Sequence, residues 1–362
     1  MTKRLLLGII IAALLASYSL AIAAAPTTPS PDNAAHLLVV VEGRVSVKRK
    51  GWTRYVPATF GMSLRSGDLL RLEESSRAAV ACADLTLVSV PGGVSGVPCM
   101  VPRPLLVYHG SLVNMTRDDT SDEFPVIVSP RKTKLLSPRP ILRWTPVART
   151  TSYTVSVRGP NVNWSIEVSA KTDVVYPDNA PALSPGLTYK LSVTAGSRSS
   201  DAESVPGLGF SVLKTDEAQV VRDREAKIRA LGLAEPPTRF LIAQLYASQD
   251  LSAEAIEQLE ALSKTFKEPA VLRSLGDLYL KIGLNRLAEE RYLFALELSR
   301  TTNDFEGEAV VQNTLGLMYL DVFGNRGEAV QRLQQATGLY QTLGDGKTVR
   351  QIQERLAVIQ RR

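Results

Sequence analysis

Proline is distributed unevenly along this chain of 362 residues. Eighteen of the 21 prolines precede residue 233, and only Pro236, Pro237 and Pro269 follow it. A proline inside an α-helix lacks the amide hydrogen that the helix needs, and its ring clashes with the preceding turn. The distribution therefore predicts strands and turns over the first two thirds of the chain and helices over the last third.

The N-terminus has the pattern of a secretory signal peptide. Lys3 and Arg4 precede an apolar run at 5–25, and Ala21-Ile22-Ala23 offers the small residues that precede cleavage. We expect cleavage after Ala23. The alternative is an uncleaved inner-membrane anchor, because about 20 apolar residues can span a bilayer. Both alternatives place the rest of the chain outside the cytoplasm, in the periplasm or cell envelope.

The rest of the chain divides by composition. About 150 residues per domain is typical, so this length suggests two or three domains. Polar or proline-rich stretches mark the boundaries between them. The segments that we expect are a signal peptide at 1–23, a linker at 24–35, a β-domain at 36–116, a linker at 117–124, a β-sandwich at 125–213 and helical repeats with capping helices at 214–362.

Short strands with tight turns are expected in the segment 36–116, where apolar and polar residues alternate. Its spaced residues are Gly43-x-Val45, Gly61-x-x-Leu64-x-x-Gly67-Asp68-x-Leu70 and an alternating stretch that ends near Asp84. This pattern resembles the FecR-type β-domain. The resemblance implies a β-module outside the cytoplasm that takes part in envelope interactions.

In the segment 125–213, Trp144 lies on an early predicted strand, Tyr153 lies on the next, and Leu183–Tyr189 has the spacing L-x-P-G-x-x-Y. These positions resemble a fibronectin type III-like sandwich, in which this spacing forms a strand corner. A tyrosine at such a corner hydrogen-bonds to backbone while its ring packs against the core. The resemblance therefore implies that Trp144, Tyr153 and Tyr189 are core residues.

The charge of the chain constrains its partners. The formal net charge is +6, and residues 124–213 hold ten Lys/Arg against five Asp/Glu. Such a surplus favours weak contact with anionic envelope polymers or lipid headgroups, or it serves only solubility. Nucleic acid is not expected as a partner, because export separates the chain from it and no aromatic-basic motif is present.

Internal repetition marks the helical third. Its most similar positions are Leu275-Gly276-Asp277-Leu278-Tyr279 with Ala288, Tyr292 and Ala295, Leu315-Gly316-Leu317-Met318-Tyr319 with Ala329, Leu333 and Ala336, and, more weakly, Ile242–Tyr246 with Ala255. This pattern resembles tetratricopeptide (TPR) repeats. Gly276 and Gly316 are expected to leave room where the two helices of a unit meet.

The TPR resemblance implies a concave groove that holds a peptide or a partner's helix. Polar residues expected to face this groove are Gln244, Arg273, Asp277, Lys281, Asn313 and Asp321. They lack the Lys/Asn set of carboxylate-binding repeats, so a C-terminal carboxylate is not the expected ligand. The alternative is a solvated polar face without a partner.

Cysteine and histidine are too few for much site chemistry. Cys82 and Cys99 are 17 residues apart, and an oxidising compartment favours a disulfide between them over two buried thiols. His36 and His109 have no metal-ligand spacing, so we expect neither a metal nor a cofactor. No G-x-S-x-G elbow or glycosidase acid pair is present, which predicts no catalytic residues and no enzymatic activity.

The sequence thus predicts a multidomain fold. Its all-β two thirds would comprise a FecR-like β-domain and a fibronectin III-like sandwich, and its all-α remainder would be a TPR solenoid. The function expected is that of an exported scaffold that binds envelope proteins through the TPR groove. The alternative is an envelope sensor in which the FecR-like domain detects a signal and the repeats relay it to a membrane partner.

Overall fold

A computed structural model of the chain describes residues 36–99, 123–203, 205 and 207–361. The expected signal peptide at 1–23, the linker at 24–35, most of the linker at 117–124 and His109 lie outside these residues. No helix within the described ranges combines the length and the apolar character needed to cross a bilayer.

Strands fill the N-terminal part of the described chain and form two units. The first β unit, residues 36–99, contains β1 His36–Glu42, β2 Val45–Lys48, β3 Val56–Pro57, β4 Ser63–Leu64, β5 Leu69–Leu72, β6 Arg77–Ala81, β7 Leu87–Ser89 and β8 Gly93–Gly96. The second β unit, residues 127–212, contains β9 Ile127–Ser129, β10 Thr133–Leu135, β11 Ile141–Trp144, β12 Ser152–Gly159, β13 Val162–Ser169, β14 Asp173–Val175, β15 Thr188–Ala195, β16 Arg198–Ser199 and β17 Phe210–Val212.

Helices fill the C-terminal part. They are α1 Thr215–Arg229, α2 Glu235–Ser248, α3 Ser252–Thr265, α4 Pro269–Lys281, α5 Asn285–Thr301, α6 Phe305–Asp321, α7 Arg326–Leu343 and α8 Gly346–Gln360. The order of an all-β part followed by an all-α part agrees with the proline distribution. The late prolines Pro236, Pro237 and Pro269 sit in the first turns of α2 and α4, where the missing amide hydrogen is not needed.

The first β unit is built from two four-stranded antiparallel sheets, in the orders β4-β1-β6-β7 and β3-β2-β5-β8. Strand β2 alternates as expected: Val45 and Val47 are buried, while Ser46 and Lys48 face outward. Strand β1 does not alternate, because Leu37, Leu38 and Val39 are all buried. Both faces of β1 are therefore covered.

The second β unit has one sheet in the order β10-β17-β15-β12-β13, with β16 paired to β15, and another in the order β14-β11-β9. Trp144 and Tyr153 are buried in its core, with ring centroids 5.4 Å apart. The Tyr189 hydroxyl accepts a hydrogen bond from the Ser184 amide at 2.8 Å. The corner expected at Leu183–Tyr189 is thus present as a local feature.

The repeat glycines are contact points between paired helices. A Cβ placed on Gly276 would lie 2.8 Å from the ring of Tyr292, and one on Gly316 would lie 2.7 Å from Leu333. Ala288 and Ala329 are fully buried on the facing helices. The expectation that small residues let the helices of a unit approach closely is confirmed.

A hydrogen bond between neighbouring helices recurs along the stack and was not expected. In three places a tyrosine on one helix donates its hydroxyl hydrogen bond to a glutamate on the helix before it. The pairs are Tyr246 with Glu225, Tyr279 with Glu260 and Tyr319 with Glu289. Burial raises the pKa of each of these tyrosines well above its usual value, so the hydroxyl stays protonated as a donor.

The predicted fold class, three modules in series, is wrong. Independent modules would each enclose a core of their own, whereas Leu37 and Phe60 of the first β unit share a hydrophobic cluster with Phe240 and Leu275 of the helices. A second cluster joins Leu38 to α6, α7 and α8. The sheet that contains β1 is apolar on both faces, and the helices cover its outer face. The second β unit retains a separate core.

Candidate functional site

A cleft of about 940 Å³ separates the first β unit from the inner side of the helical stack. Residues of α2, α4 and α6 and the first turn of α8 form one wall, and turns of the first β unit form the other. The concave side that the TPR resemblance assigned to a partner is thus partly occupied by the chain itself. The remaining space is this cleft.

A turn of the first β unit fixes its position on the helices. Gly61 has a φ of +73°, and a Cβ there would lie 2.5 Å from the Ala270 side chain. Beside it, the ring of Phe60 lies 5.1 Å from Phe240 and 4.9 Å from Phe266, measured between centroids. Because only glycine fits this approach without strain, the turn is a close-packed contact between strand and helix regions.

Arg49 connects the two walls of the cleft. Its Nη1 donates to Asp68 Oδ2 at 2.7 Å and to the Ser63 carbonyl at 2.6 Å, while its Nη2 donates to Glu306 Oε2 at 2.9 Å. Asp68 is 2% exposed, so its charge depends on this partner. No sequence signal pointed to Arg49, because its acidic partners are 19 and 257 residues away.

Four of the six predicted groove residues line the cleft, namely Gln244, Arg273, Asp277 and Lys281. Each is already bonded within the chain. The contacts are Gln244 Nε2 to Ser274 Oγ at 2.9 Å, Arg273 Nη1 to Asp304 Oδ2 at 2.9 Å, Tyr292 Oη to Asp277 Oδ1 at 2.6 Å and Lys281 Nζ to Asp250 Oδ1 at 2.8 Å. These residues hold the helices together as well as facing the cleft.

The other two predicted residues lie elsewhere. Asn313 is half-buried in α6, and neither it nor Asp321 lines the cleft. Asp321 is exposed near the end of α6, with its carboxylate 3.7 Å from the guanidinium of Arg355. The structure therefore does not bring the six residues into one site.

Three exposed cations stand at the rim of the cleft: Lys50 and Arg65 on the first β unit and Lys347 on α8. Among the residues that the structure describes, no carboxylate lies within 4.0 Å of any of these three charged groups. Deeper in the cleft, cations and carboxylates pair with one another: Arg49 with Asp68 and Glu306, Arg273 with Asp304 and Lys281 with Asp250. The rim thus offers unpaired positive charge on both walls.

Cys82 and Cys99 form a disulfide, with Cα atoms 5.6 Å apart. The imidazole of His36 lies close to both sulfurs, and its Nδ1 accepts a hydrogen bond from the Ala83 amide at 3.1 Å. Burial lowers the pKa of His36, which favours the neutral ring. A metal would need thiolates, and the disulfide removes both of them.

The basic surplus of residues 124–213 is partly engaged within the chain. Four of its ten cations form ion pairs, which are Arg131 with Glu203, Arg139 with Asp178, Arg143 with Glu260 and Lys190 with Asp201. Paired cations offer little to an external polymer. This region is therefore a weaker candidate for an anionic ligand than its composition suggests.

No protein-family model matches the chain. No curated protein matches it in sequence either. The FecR-like and fibronectin-like resemblances consequently have no support beyond the residues that carry them.

Some solved structures resemble part of the chain. MamA is 19% identical with a TM-score of 0.29, and the alignment covers 40% of this chain and 86% of MamA. The nearly identical TPR-like repeats of a Podosopora anserina kinesin light chain are 20% identical, with the same TM-score and coverage. BtubC from P. vanneervenii is 19% identical with a TM-score of 0.26, covering 40% of this chain and 74% of BtubC. Similarity this low establishes no shared fold. The evidence for helical repeats in this chain is the set of glycine and alanine contacts described above.

Proposed function

We propose that the chain is a non-enzymatic scaffold, exported to the bacterial periplasm or cell envelope, that binds an acidic segment of a partner protein in the cleft. The observation that carries this proposal is the rim formed by Lys50, Arg65 and Lys347, which are exposed and unpaired in the described structure. An acidic segment between the two walls would neutralise them.

The position of the rim cations favours an extended segment. Lys347 stands on one wall and Lys50 and Arg65 stand on the other, so one ligand lying along the cleft can contact both. An exposed ion pair contributes only about 0–1 kcal/mol, which gives orientation and partner choice more than affinity. Partly exposed apolar lining residues, such as Ala247 and Val310, would supply further contact.

Two further observations support the scaffold and its location. Stacked helical repeats create concave surfaces that bind partners in many proteins. The Cys82–Cys99 disulfide fits an oxidising compartment, as does the signal-peptide pattern of residues 1–23.

The binding proposal is tested by fluorescence anisotropy on the full chain. Three labelled peptides of equal length, one acidic, one neutral and one basic, are titrated with wild type and with a Lys50→Ala/Arg65→Ala/Lys347→Ala variant. We expect wild type to prefer the acidic peptide and the variant to bind it about tenfold more weakly or worse. Equal binding of the three peptides, or an unaffected variant, would contradict the proposal.

A matched variant controls for the loss of three charges. Lys171, Lys227 and Lys264 are also exposed, and none of them lines the cleft. Their triple alanine variant should bind the acidic peptide as wild type does. Cross-linking in envelope extracts, through a photoreactive residue at position 66 in the cleft, then identifies the natural partner.

Export is tested separately by fractionation and N-terminal sequencing of the protein made in a bacterial host. We expect it in the periplasm, beginning at Ala24. Recovery in the cytoplasm with residues 1–23 intact would overturn the location and leave the binding result unaffected.

A further inference from the structure

A second group of unpaired cations lies on the outer face of the sheet β3-β2-β5-β8. Ser46 is the register partner of Arg71, and Lys48 is the partner of Leu69. Lys48 and Arg71 are therefore diagonal neighbours that project from the same face of the sheet. Neither residue lines the cleft.

Both cations converge on one aromatic ring. The guanidinium carbon of Arg71 is 4.4 Å from the centroid of the Tyr55 ring, and Lys48 Nζ is 5.4 Å from the same centroid. Attraction to the ring offsets the repulsion between the two like charges. It also favours positions of the two cations beside the ring before any ligand arrives.

The hydrogen-bonding capacity of the two cations is unused. Within the described part of the chain, no carboxylate lies within 4.0 Å of the charged groups of Lys48 or Arg71, and the guanidinium of Arg71 donates no hydrogen bond. A guanidinium in contact with a ring still presents its N–H groups at its edge. That edge matches the two oxygens of a carboxylate or phosphate.

Apolar groups flank the cations on the same face. Pro57 pairs in register with Ser46, and Val94 pairs with Arg71. Both are exposed, Val94 by 60%. An apolar surface beside cationic hydrogen-bond donors suits a sugar ring that carries an acidic group, because such a ring presents both C–H and carboxylate groups.

We propose that the Lys48–Tyr55–Arg71 group binds a carboxylated polysaccharide. A membrane surface is the less suitable ligand, since lipid-binding segments use clusters of about four to eight Lys or Arg. The site differs from the rim of the cleft, so it does not depend on the function proposed above.

The test is isothermal titration of the full chain with polygalacturonate, with neutral dextran as the uncharged polymer. We expect saturable binding to polygalacturonate that falls about tenfold or more in a Lys48→Ala/Arg71→Ala variant, because charge-assisted hydrogen bonds are lost. Arg71→Lys keeps the charge but not the planar fork, and it should also bind more weakly than wild type. A Lys171→Ala/Lys227→Ala variant, which removes the same charge elsewhere, should bind like wild type.

Three results would overturn the proposal. One is equal binding of polygalacturonate by wild type and the Lys48→Ala/Arg71→Ala variant, with circular dichroism showing both folded. Another is equal binding of dextran. The third is binding of phosphatidylglycerol vesicles or of an acidic peptide through Lys48 and Arg71 without binding of polygalacturonate. Loss of peptide binding at the rim of the cleft would leave this titration unchanged.

Discussion

Arg131 of the second β unit forms a two-pronged ion pair with Glu203 in which neither side chain is exposed to solvent. The Nη2–Oε1 distance is 2.5 Å and the Nη1–Oε2 distance is 2.7 Å. Arg131 Nε also donates to the carbonyl of Ile282, directly after α4, at 2.7 Å. One buried side chain thereby joins the second β unit to the helices.

Replacing Arg131 by Met should destabilise the protein strongly. Glu203 would keep a buried charge without a partner, which costs about 3–5 kcal/mol. The measurement is the free energy of unfolding in urea. A matched double variant, Arg131→Met/Glu203→Leu, removes both charges and should recover most of the loss. A single variant as stable as wild type would show that the pair does not hold this contact.

Arg49→Ala should loosen the first β unit from the helices. Asp68 would lose its main charged partner and Glu306 would lose its link across the cleft, at a cost of about 2 kcal/mol. Hydrogen exchange should rise in the turn at 65–68 and in the first turn of α6. Arg44→Ala is the control, because Arg44 and Glu73 form an exposed pair whose loss costs less than about 1 kcal/mol. Unchanged exchange in Arg49→Ala would contradict the proposed link.

Local features were more predictable than the way the parts join. The proline distribution and the spacing of Gly276 and Gly316 depend on the stereochemistry of single helices and helix pairs, and both agree with the structure. The cleft depends on contacts between residues far apart, such as Arg49 with Glu306, which no local pattern encodes.

One signal for the shared core was nevertheless present in the sequence. Leu37–Val41 is an unbroken apolar run, which indicates a strand covered on both faces rather than one face exposed to water. In the structure Leu38 packs in one cluster, while Leu37 and Val39 pack in another with the helices. That run argued against an independent β-domain and for a sheet covered by another element.

Substitution of the repeat glycines tests the helix contacts. Gly276→Ala and Gly316→Ala each place a Cβ within 2.8 Å or less of a side chain on the facing helix, so we expect a loss of about 1–3 kcal/mol from overpacking. Gly338→Ala is the matched control. It lies in α7 with nothing within 4 Å of the added carbon, and it should stabilise by about 0.5–1 kcal/mol. Thermal unfolding distinguishes these outcomes. The same change of stability in all three variants would contradict the packing role of Gly276 and Gly316.

Glu254 is expected to make the free energy of unfolding depend on pH. It is half-buried in the first turn of α3, where Oε1 accepts a hydrogen bond from the Leu136 amide at 2.6 Å, and Oε2 is buried without a partner among the described residues. Burial raises the pKa of Glu254 to about 7, and the charge of Glu257 adds to the shift. Between pH 4.5 and 7 the folded protein therefore holds a proton that the unfolded chain has released.

The sign of the effect follows from that proton. Stability from Glu254 is complete below pH 4.5 and is lost as pH rises to about 7, by about 3 kcal/mol in total. Glu254→Gln keeps an oxygen for the Leu136 amide but cannot ionise, so its unfolding free energy should change less over this range. Glu257→Gln, which removes a neighbouring charge and leaves Glu254 in place, should retain most of the slope. Urea unfolding at pH 4.5, 5.5, 6.5 and 7.5 measures how the free energy of unfolding depends on pH. Parallel pH profiles for wild type and Glu254→Gln would show that Glu254 is ionised in the folded protein throughout.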